Sequence, residues 1–428
     1  MRILDCRADL SAVGTITARR WEDSRDVQLR AAEILAAIRV EGDPALLRYT
    51  REYDCPAIET IGLRVSKEEM EAAYNAIDKR FLRALRVARK RITSFHRRQV
   101  PRSFTVREAG SRIEQRFQPL RRVGIYVPGG KASYPSTVLM NAIPASIAGV
   151  KEIVMVTPCD RKGKIMAEVL VAAAECRVSE IYRVGGAQAI AALAYGTETI
   201  RRVDKITGPG NAYVAAAKQQ LYGHVGIDMI AGPTEVVVVA DESARPEYIA
   251  ADLIAQAEHD ENASPVVVTT SPVLAETIAS DVERQLKESP RAAIARKAFD
   301  GQGVILLVAN LSAAAGIVNE LAPEHLEVLV KNPDPFVGKI RCAGSIFIGP
   351  WSTEAFGDYL AGPNHTLPTL GTARFSSALG VYDFMRFTNI VSLGKKQFAS
   401  LAKHVEVLAE AEGLSGHAAS VRIRRERP

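Results

Sequence analysis

Val123-Gly124-Ile125-Tyr126-Val127-Pro128-Gly129-Gly130 is a β-branched run that stops at a glycine turn, and the repetition of this pattern decides the architecture. Outward from it, short β-rich runs occupy 152–157, 181–184 and 203–206, then 235–240, 265–270, 304–308, 326–330 and 345–348. Stretches with apolar residues at helical spacing, 164–174, 187–194, 212–221 and 247–258, lie between them. Strands joined through helices run parallel, because a parallel pair needs a crossover. The chain is therefore predicted to be α/β, with two Rossmann-like parallel sheets covered by helices on both faces.

The turn Gly232-Pro233 separates four of these strands from five. Before them, 21–98 carries Val27, Leu29, Ala32, Ile34, Leu35 and Ile38 at helical spacing. After about Gly380 the chain turns helical again over 395–412 and ends in the charged run 422–427. The predicted organisation is an N-terminal arm (1–20), a discontinuous Rossmann-like domain (21–120 with 234–379), a second Rossmann-like domain (121–233) and a C-terminal helical tail (380–428).

The 428 residues are 47% hydrophobic and 24% charged, which suits a globular chain with a large core. Five scattered cysteines with no Cys-x-x-Cys pair argue against a disulfide framework or a thiolate metal site. The start Met1-Arg2-Ile3-Leu4-Asp5-Cys6-Arg7 is too charged for a signal peptide. No apolar stretch reaches the roughly 20 residues of a membrane span. A cytoplasmic protein without a membrane partner is expected. The net charge of +6 is concentrated in 79–102. That segment reads either as a nucleic-acid surface or as the solvated face of a helix packed through Phe81, Leu82, Leu85 and Ile92. No nucleic-acid-binding motif accompanies the charge, which favours the second reading.

Four turns after strands are glycine-rich: 128–130, 185–186, 208–211 and 232–234. None is the Gly-x-Gly-x-x-Gly fingerprint, and each alone is an ordinary connection. Four at the same end of successive units also describe a nucleotide-binding cleft. The seven histidines limit any imidazole chemistry. Gln256 and His259, three apart at a helix end, suit two ligands of one metal or a solvated helix end. Glu324 and His325 follow Pro323 at the start of a strand. Adjacent strand residues face opposite ways, so they serve one site only if Pro323 keeps the stretch irregular. His325 would then be a general base and Glu324 a second acceptor. Asp358 lies in a stretch, 351–363, whose glycine and proline predict a loop. Glu412 and His417 read as a polar tail, and a Gln/His/Asp/His set would suit zinc or manganese.

Taken together these motifs resemble histidinol dehydrogenase along nearly the whole chain. The resemblance is carried by 123–130, Gly185-Gly186-Ala187-Gln188-Ala189-Ile190, Thr207-Gly208-Pro209-Gly210-Asn211, Ile227-Asp228-Met229, Gln256-Ala257-Glu258-His259, Pro323-Glu324-His325, Gly357-Asp358-Tyr359 and Gly362-Pro363-Asn364-His365. It implies NAD-dependent, four-electron oxidation of L-histidinol to L-histidine through L-histidinaldehyde, with one zinc per subunit. Gln256, His259, Asp358 and His417 would hold the zinc, and Tyr126, Gln188 and Asn211 would contact NAD. Thr234, His365 and Glu412 would join His325 and the metal ligands around the substrate. His325 would be the general base and Glu324 the activator of water. The family's homodimers imply that the C-terminal segment reaches the partner's site. A related zinc- and NAD-dependent dehydrogenase of another polar alcohol, such as a sulfonated diol, is the alternative, which retention of Glu412 and His417 disfavours. Two departures stand out: Thr234 replaces a serine of some members but keeps the hydroxyl, and Phe387 stands where a polar or basic residue is expected.

Overall fold

The computed structural model describes residues 1–8, 13–14, 16, 25–129 and 133–426, so Trp21 and Gly130 fall outside the described residues. The chain divides into two compact units, Met1–Gln99 with Arg121–Phe384, and Val100–Leu120 with Met385–Pro428. The first unit holds two all-parallel sheets.

One sheet runs in the order Arg2–Asp5, Val304–Leu307, Ser264–Thr269, Glu235–Ala240, His325–Leu329, Ser345–Ile348. Every residue of Glu235–Ala240 is buried, as a central strand covered on both faces must be. Val236 and Val238 join a core with Ile249, Leu253 and Ile278 on one face. Val237 and Val239 join Ile317, Val318 and Leu321 on the other. The period-two alternation thus splits one valine run between two layers. Residues 2–5, expected in an arm, supply this sheet's edge strand.

The other sheet runs Glu180–Arg183, Glu152–Thr157, Arg122–Tyr126, Lys205–Thr207, Gly226–Ile227. Helix Arg25–Glu41 packs here, with Ile34, Leu35 and Ile38 sharing a core with Ile190, Leu193 and Val214. The sequence grouping had put 21–120 with 234–379. Periodicity marks a buried face but not the partner that covers it.

The basic segment forms helix Lys79–His96, buried through Leu85, Ala88 and Ile92. Its Arg86 and Arg89 pair with Glu175 at 2.8 and 2.9 Å, so part of the charge is spent within the fold. Among the described residues no helix is long and apolar enough to cross a membrane.

The second unit corrects the expectation of a purely helical tail. Strands Phe104–Glu108, Ser111–Pro119 and Met385–Ser392 form an antiparallel sheet. Most of their residues are exposed or half-buried, so the hydrophobic signal is weak, and the pairing of 111–119 with 385–392 joins segments far apart in the chain. Phe387 lies directly opposite Phe117, with ring centroids 5.7 Å apart. The residue that departed from the family pattern thus makes a cross-strand aromatic pair. Helices Lys395–Ala411 and Ser415–Glu426 follow, with Arg425 pairing Glu406 at 3.0 Å.

Candidate active site

A cleft of about 700 Å³ in the first unit is lined from both sheets. On the five-stranded side its wall is Pro128, Gly129, Pro209, Gly210 and Asn211, at the carboxyl ends of Arg122–Tyr126 and Lys205–Thr207. From Arg122–Tyr126 the order runs one way through 152–157 and 180–183 and the other way through 205–207, so this is the switch point where ligands collect in doubly wound sheets. Gly208 has φ of +112°, and a Cβ there would lie 2.1 Å from the Tyr126 carbonyl oxygen, so only glycine lets this turn pass. Asn211 caps helix Ala212–Leu221, its Oδ1 accepting from the Val214 N–H at 3.1 Å. Tyr126 and Gln188 are buried behind the wall. The Tyr126 hydroxyl accepts from the Gly186 N–H at 3.1 Å, and Gln188 approaches Asp54 at 3.5 Å.

On the six-stranded side the lining residues sit at the amino ends of strands, against the usual rule. Thr234 precedes Glu235–Ala240, and Glu324 precedes His325–Leu329. Helix Leu311–Leu321 ends at Ala322 in the left-handed region, φ 43°, and Pro323 follows, so the strand proper begins only at His325. This is the irregularity that Glu324 and His325 need to share a site. Glu324 Oε2 lies 3.6 Å from His325 Nδ1, 2.6 Å from Thr234 Oγ1 and 2.9 Å from the Glu235 N–H that donates to it. Burial pushes the Glu324 carboxyl up to about 8, against the hydrogen bonds that lower it. Burial also lowers the pKa of His325, which favours the neutral imidazole. Its Nδ1 sits 3.0 Å from the Glu235 carbonyl oxygen and must carry the proton there, which leaves Nε2 as the free base.

His259, Glu354 and Asp358 converge so that one ligand atom of each lies within 4.8 Å of the others. This spacing suits donors around a single ion. Glu354 and Asp358 are four apart on helix Glu354–Tyr359, which corrects the loop expected at 351–363 for those residues while the flanks stay irregular. The cap comes from outside: Glu327 Oε1 accepts from the Glu354 N–H at 2.9 Å. Gly357 lets the helix pack closely on Phe347, since a Cβ there would lie 2.6 Å from the ring edge. Gln256 is buried at the end of helix Pro246–Ala257. With its amide turned to satisfy both neighbours, Nε2 donates to the two Glu354 oxygens at 2.6 and 2.5 Å and Oε1 accepts from Thr234.

Three carboxyls escaped the sequence reading: Glu354, Glu327 and Asp252. The i, i+4 spacing of Glu354 and Asp358 was the available signal. Glu327 shares a hydrogen bond with Asp252, and burial raises them to about 8 and about 6. His365 lines the cleft with its Nε2 buried and without a hydrogen-bond partner. Glu412 and His417 belong to the second unit, where both are exposed.

The sequence profile of histidinol dehydrogenase matches residues 17–425. The chain belongs to the histidinol dehydrogenase family. It is 51% identical to the histidinol dehydrogenase of Halalkalibacterium halodurans over 410 residues, 95% of this chain and 96% of that one. It is 48% identical to the Moorella thermoacetica enzyme over 96% of this chain and 99% of its relative. The crystal structure of the Elizabethkingia anophelis histidinol dehydrogenase superposes with a TM-score of 0.94 at 37% identity, covering 100% of this chain and 98% of that one.

A histidinol dehydrogenase is an oxidoreductase, and the residues of the cleft fit a divalent metal and a dinucleotide. Burial drives the Glu354 pKa well above the ordinary carboxylate range, and the charges of Asp358 and Glu324 add to it. A divalent cation at His259, Glu354 and Asp358 would relieve that crowding, and the nitrogen and oxygen donors suit zinc. The switch-point turns with their glycines suit a dinucleotide. Because the neutral forms of Glu324 and Glu354 are favoured in the folded state, the stability they contribute is present at acid pH and lost as the pH rises, for Glu324 through about 8. Metal-free protein should therefore melt progressively lower across that range, and added zinc should flatten the slope. Thermal melts at several pH values check this; a metal-free melting temperature that climbs through the window would contradict it.

Proposed function

We propose that this chain oxidises L-histidinol to L-histidine in two successive two-electron steps at the cleft described, reducing two NAD. The observation that carries the reading is the neutral His325, whose Nε2 is free, lying in one cleft with the His259–Glu354–Asp358 cluster and the switch-point turns. Gln256, His259 and Asp358, with His417, hold zinc in this reading, and Glu354 stands beside them. Bound zinc supplies a positive centre that orients the substrate's imidazole and amino nitrogens, and bound NAD accepts hydride. Thr234, His365 and Glu412 complete the substrate pocket. Tyr126, Gln188 and Asn211 form the NAD side.

His325 Nε2 takes the hydroxyl proton as hydride leaves the carbinol carbon, giving the aldehyde. Glu324, acting in its carboxylate form, takes a proton from water as the water oxygen adds to the aldehyde carbon, and His325 returns its proton to the aldehyde oxygen, so the hydrate forms with His325 neutral again. His325 then takes a hydroxyl proton of the hydrate as the second hydride leaves. The carboxylic acid and two reduced cofactors result.

The protein acts as a cytoplasmic homodimer in this reading, with Glu412 and His417 working across subunits and His365, which lines the cleft of its own chain, working within it. Supporting this, helix Lys395–Ala411 exposes Leu401, Val405 and Leu408 at helical spacing on one face, which a second copy would cover.

Purified protein should reduce two NAD for each histidinol consumed, lose activity on chelation and regain it with zinc. Absence of histidinol-dependent absorbance from reduced cofactor, when other polar alcohols give it, would assign a different substrate. In the same assay Glu324→Gln should slow the aldehyde step more than the alcohol step. Equal losses with histidinol and with histidinaldehyde would refute that division.

A further inference from the structure

Lys218 and Asp228 form an ion pair whose side chains are only 2% and 1% exposed, and neither lines the cleft. Both converge on Gly208. Asp228 Oδ2 accepts from the Gly208 N–H at 2.7 Å, and Lys218 Nζ donates to the Gly208 carbonyl oxygen at 3.1 Å. The two polar groups of one residue are thus held by two buried side chains that also bond each other. Lys218 comes from helix Ala212–Leu221, which starts directly after the turn, and Asp228 follows strand Gly226–Ile227. With Asn211 capping the helix, Gly208–Asn211 is pinned at both ends against the carboxyl end of Arg122–Tyr126.

Buried ion pairs are poor stabilisers, because desolvation offsets their attraction and apolar replacements of both partners are commonly neutral or stabilising. Their value lies in geometry. We infer that Lys218 and Asp228 are positioning residues that set the Gly208–Asn211 turn for the dinucleotide, and that cofactor affinity, not fold stability, is what the pair supports. The inference rests on the reading that this turn faces NAD.

The test is the double substitution Lys218→Met with Asp228→Leu, which leaves no lone buried charge. Its melting temperature should stay within a few degrees of the parent's, because relief of the pair's desolvation offsets the two Gly208 hydrogen bonds that are lost. Its KM for NAD, and its dissociation constant for reduced NAD by fluorescence titration, should rise roughly tenfold or more, the equivalent of one buried hydrogen bond. KM for histidinol and zinc content should stay put. The companion pair Lys218→Met with Asp228→Asn keeps an acceptor for the Gly208 N–H and should recover part of the affinity; it also serves if the first variant does not fold. Cofactor affinity within twofold of the parent in a folded variant overturns the inference, as does an equal rise in both KM values. A parent protein that binds no reduced NAD in the titration would instead remove the cofactor reading beneath it.

Discussion

Replacing His325 with asparagine is expected to lower the rate of histidinol oxidation by about a thousandfold, within the range that a positioned general base contributes. The substitution is chosen for its shape. An asparagine amide can still donate to the Glu235 carbonyl oxygen that His325 Nδ1 now meets at 3.0 Å, so the strand start is preserved. What disappears is Nε2, the only ring nitrogen left free to take a proton. The loss should fall on kcat for both the alcohol and the aldehyde substrates, with KM for histidinol little changed. A variant retaining more than a tenth of the parental kcat would show that another group takes the proton, and Glu354, 4.0 Å from Nε2, would be the next to test.

Asp358→Ala should be the second severe variant, for a reason that separates function from stability. Metal assistance is worth several kcal/mol, which corresponds to about a hundredfold to ten-thousandfold in rate. Removing one carboxylate from the His259–Glu354–Asp358 cluster should cost activity in that range and lower zinc content per chain by elemental analysis. Yet Asp358 is also among the charges that raise the pKa of Glu324 and Glu354. The metal-free variant should therefore melt no lower than metal-free parent, and higher above neutrality, because one repulsive partner is gone. Full zinc occupancy, or a metal-free variant that melts well below the parent, would sink the argument.

The legible and illegible parts of this fold differ in where their stabilising partners lie. Glu235–Ala240 was readable because a strand covered on both faces is apolar along its whole length, whatever covers it. Ala212–Leu221 was readable because its helical apolar spacing is a local pattern. Helix Glu354–Tyr359 was not, since a short segment containing Gly357 owes its first turn to Glu327 on another strand. The sheet of 104–108, 111–119 and 385–392 escaped because its strands are largely exposed and 385–392 joins the 104–119 hairpin only across the chain.

The candidate site divides in the same way. The motifs named Gln256, His259, Glu324, His325 and Asp358 without any geometry. Sequence by itself thus determined the chemistry on offer and the family to which the chain belongs, because residue types in a fixed order survive without coordinates. Only the tertiary structure decided that Glu324 and His325 share one side of a strand start, and that His325 is a neutral base with Nε2 free. It also brought Glu354 beside His259 and Asp358 and placed Lys218 and Asp228 behind the Gly208 turn. Those facts depend on burial and on donors contributed by distant segments, and both exist only once the sheets have closed around the cleft.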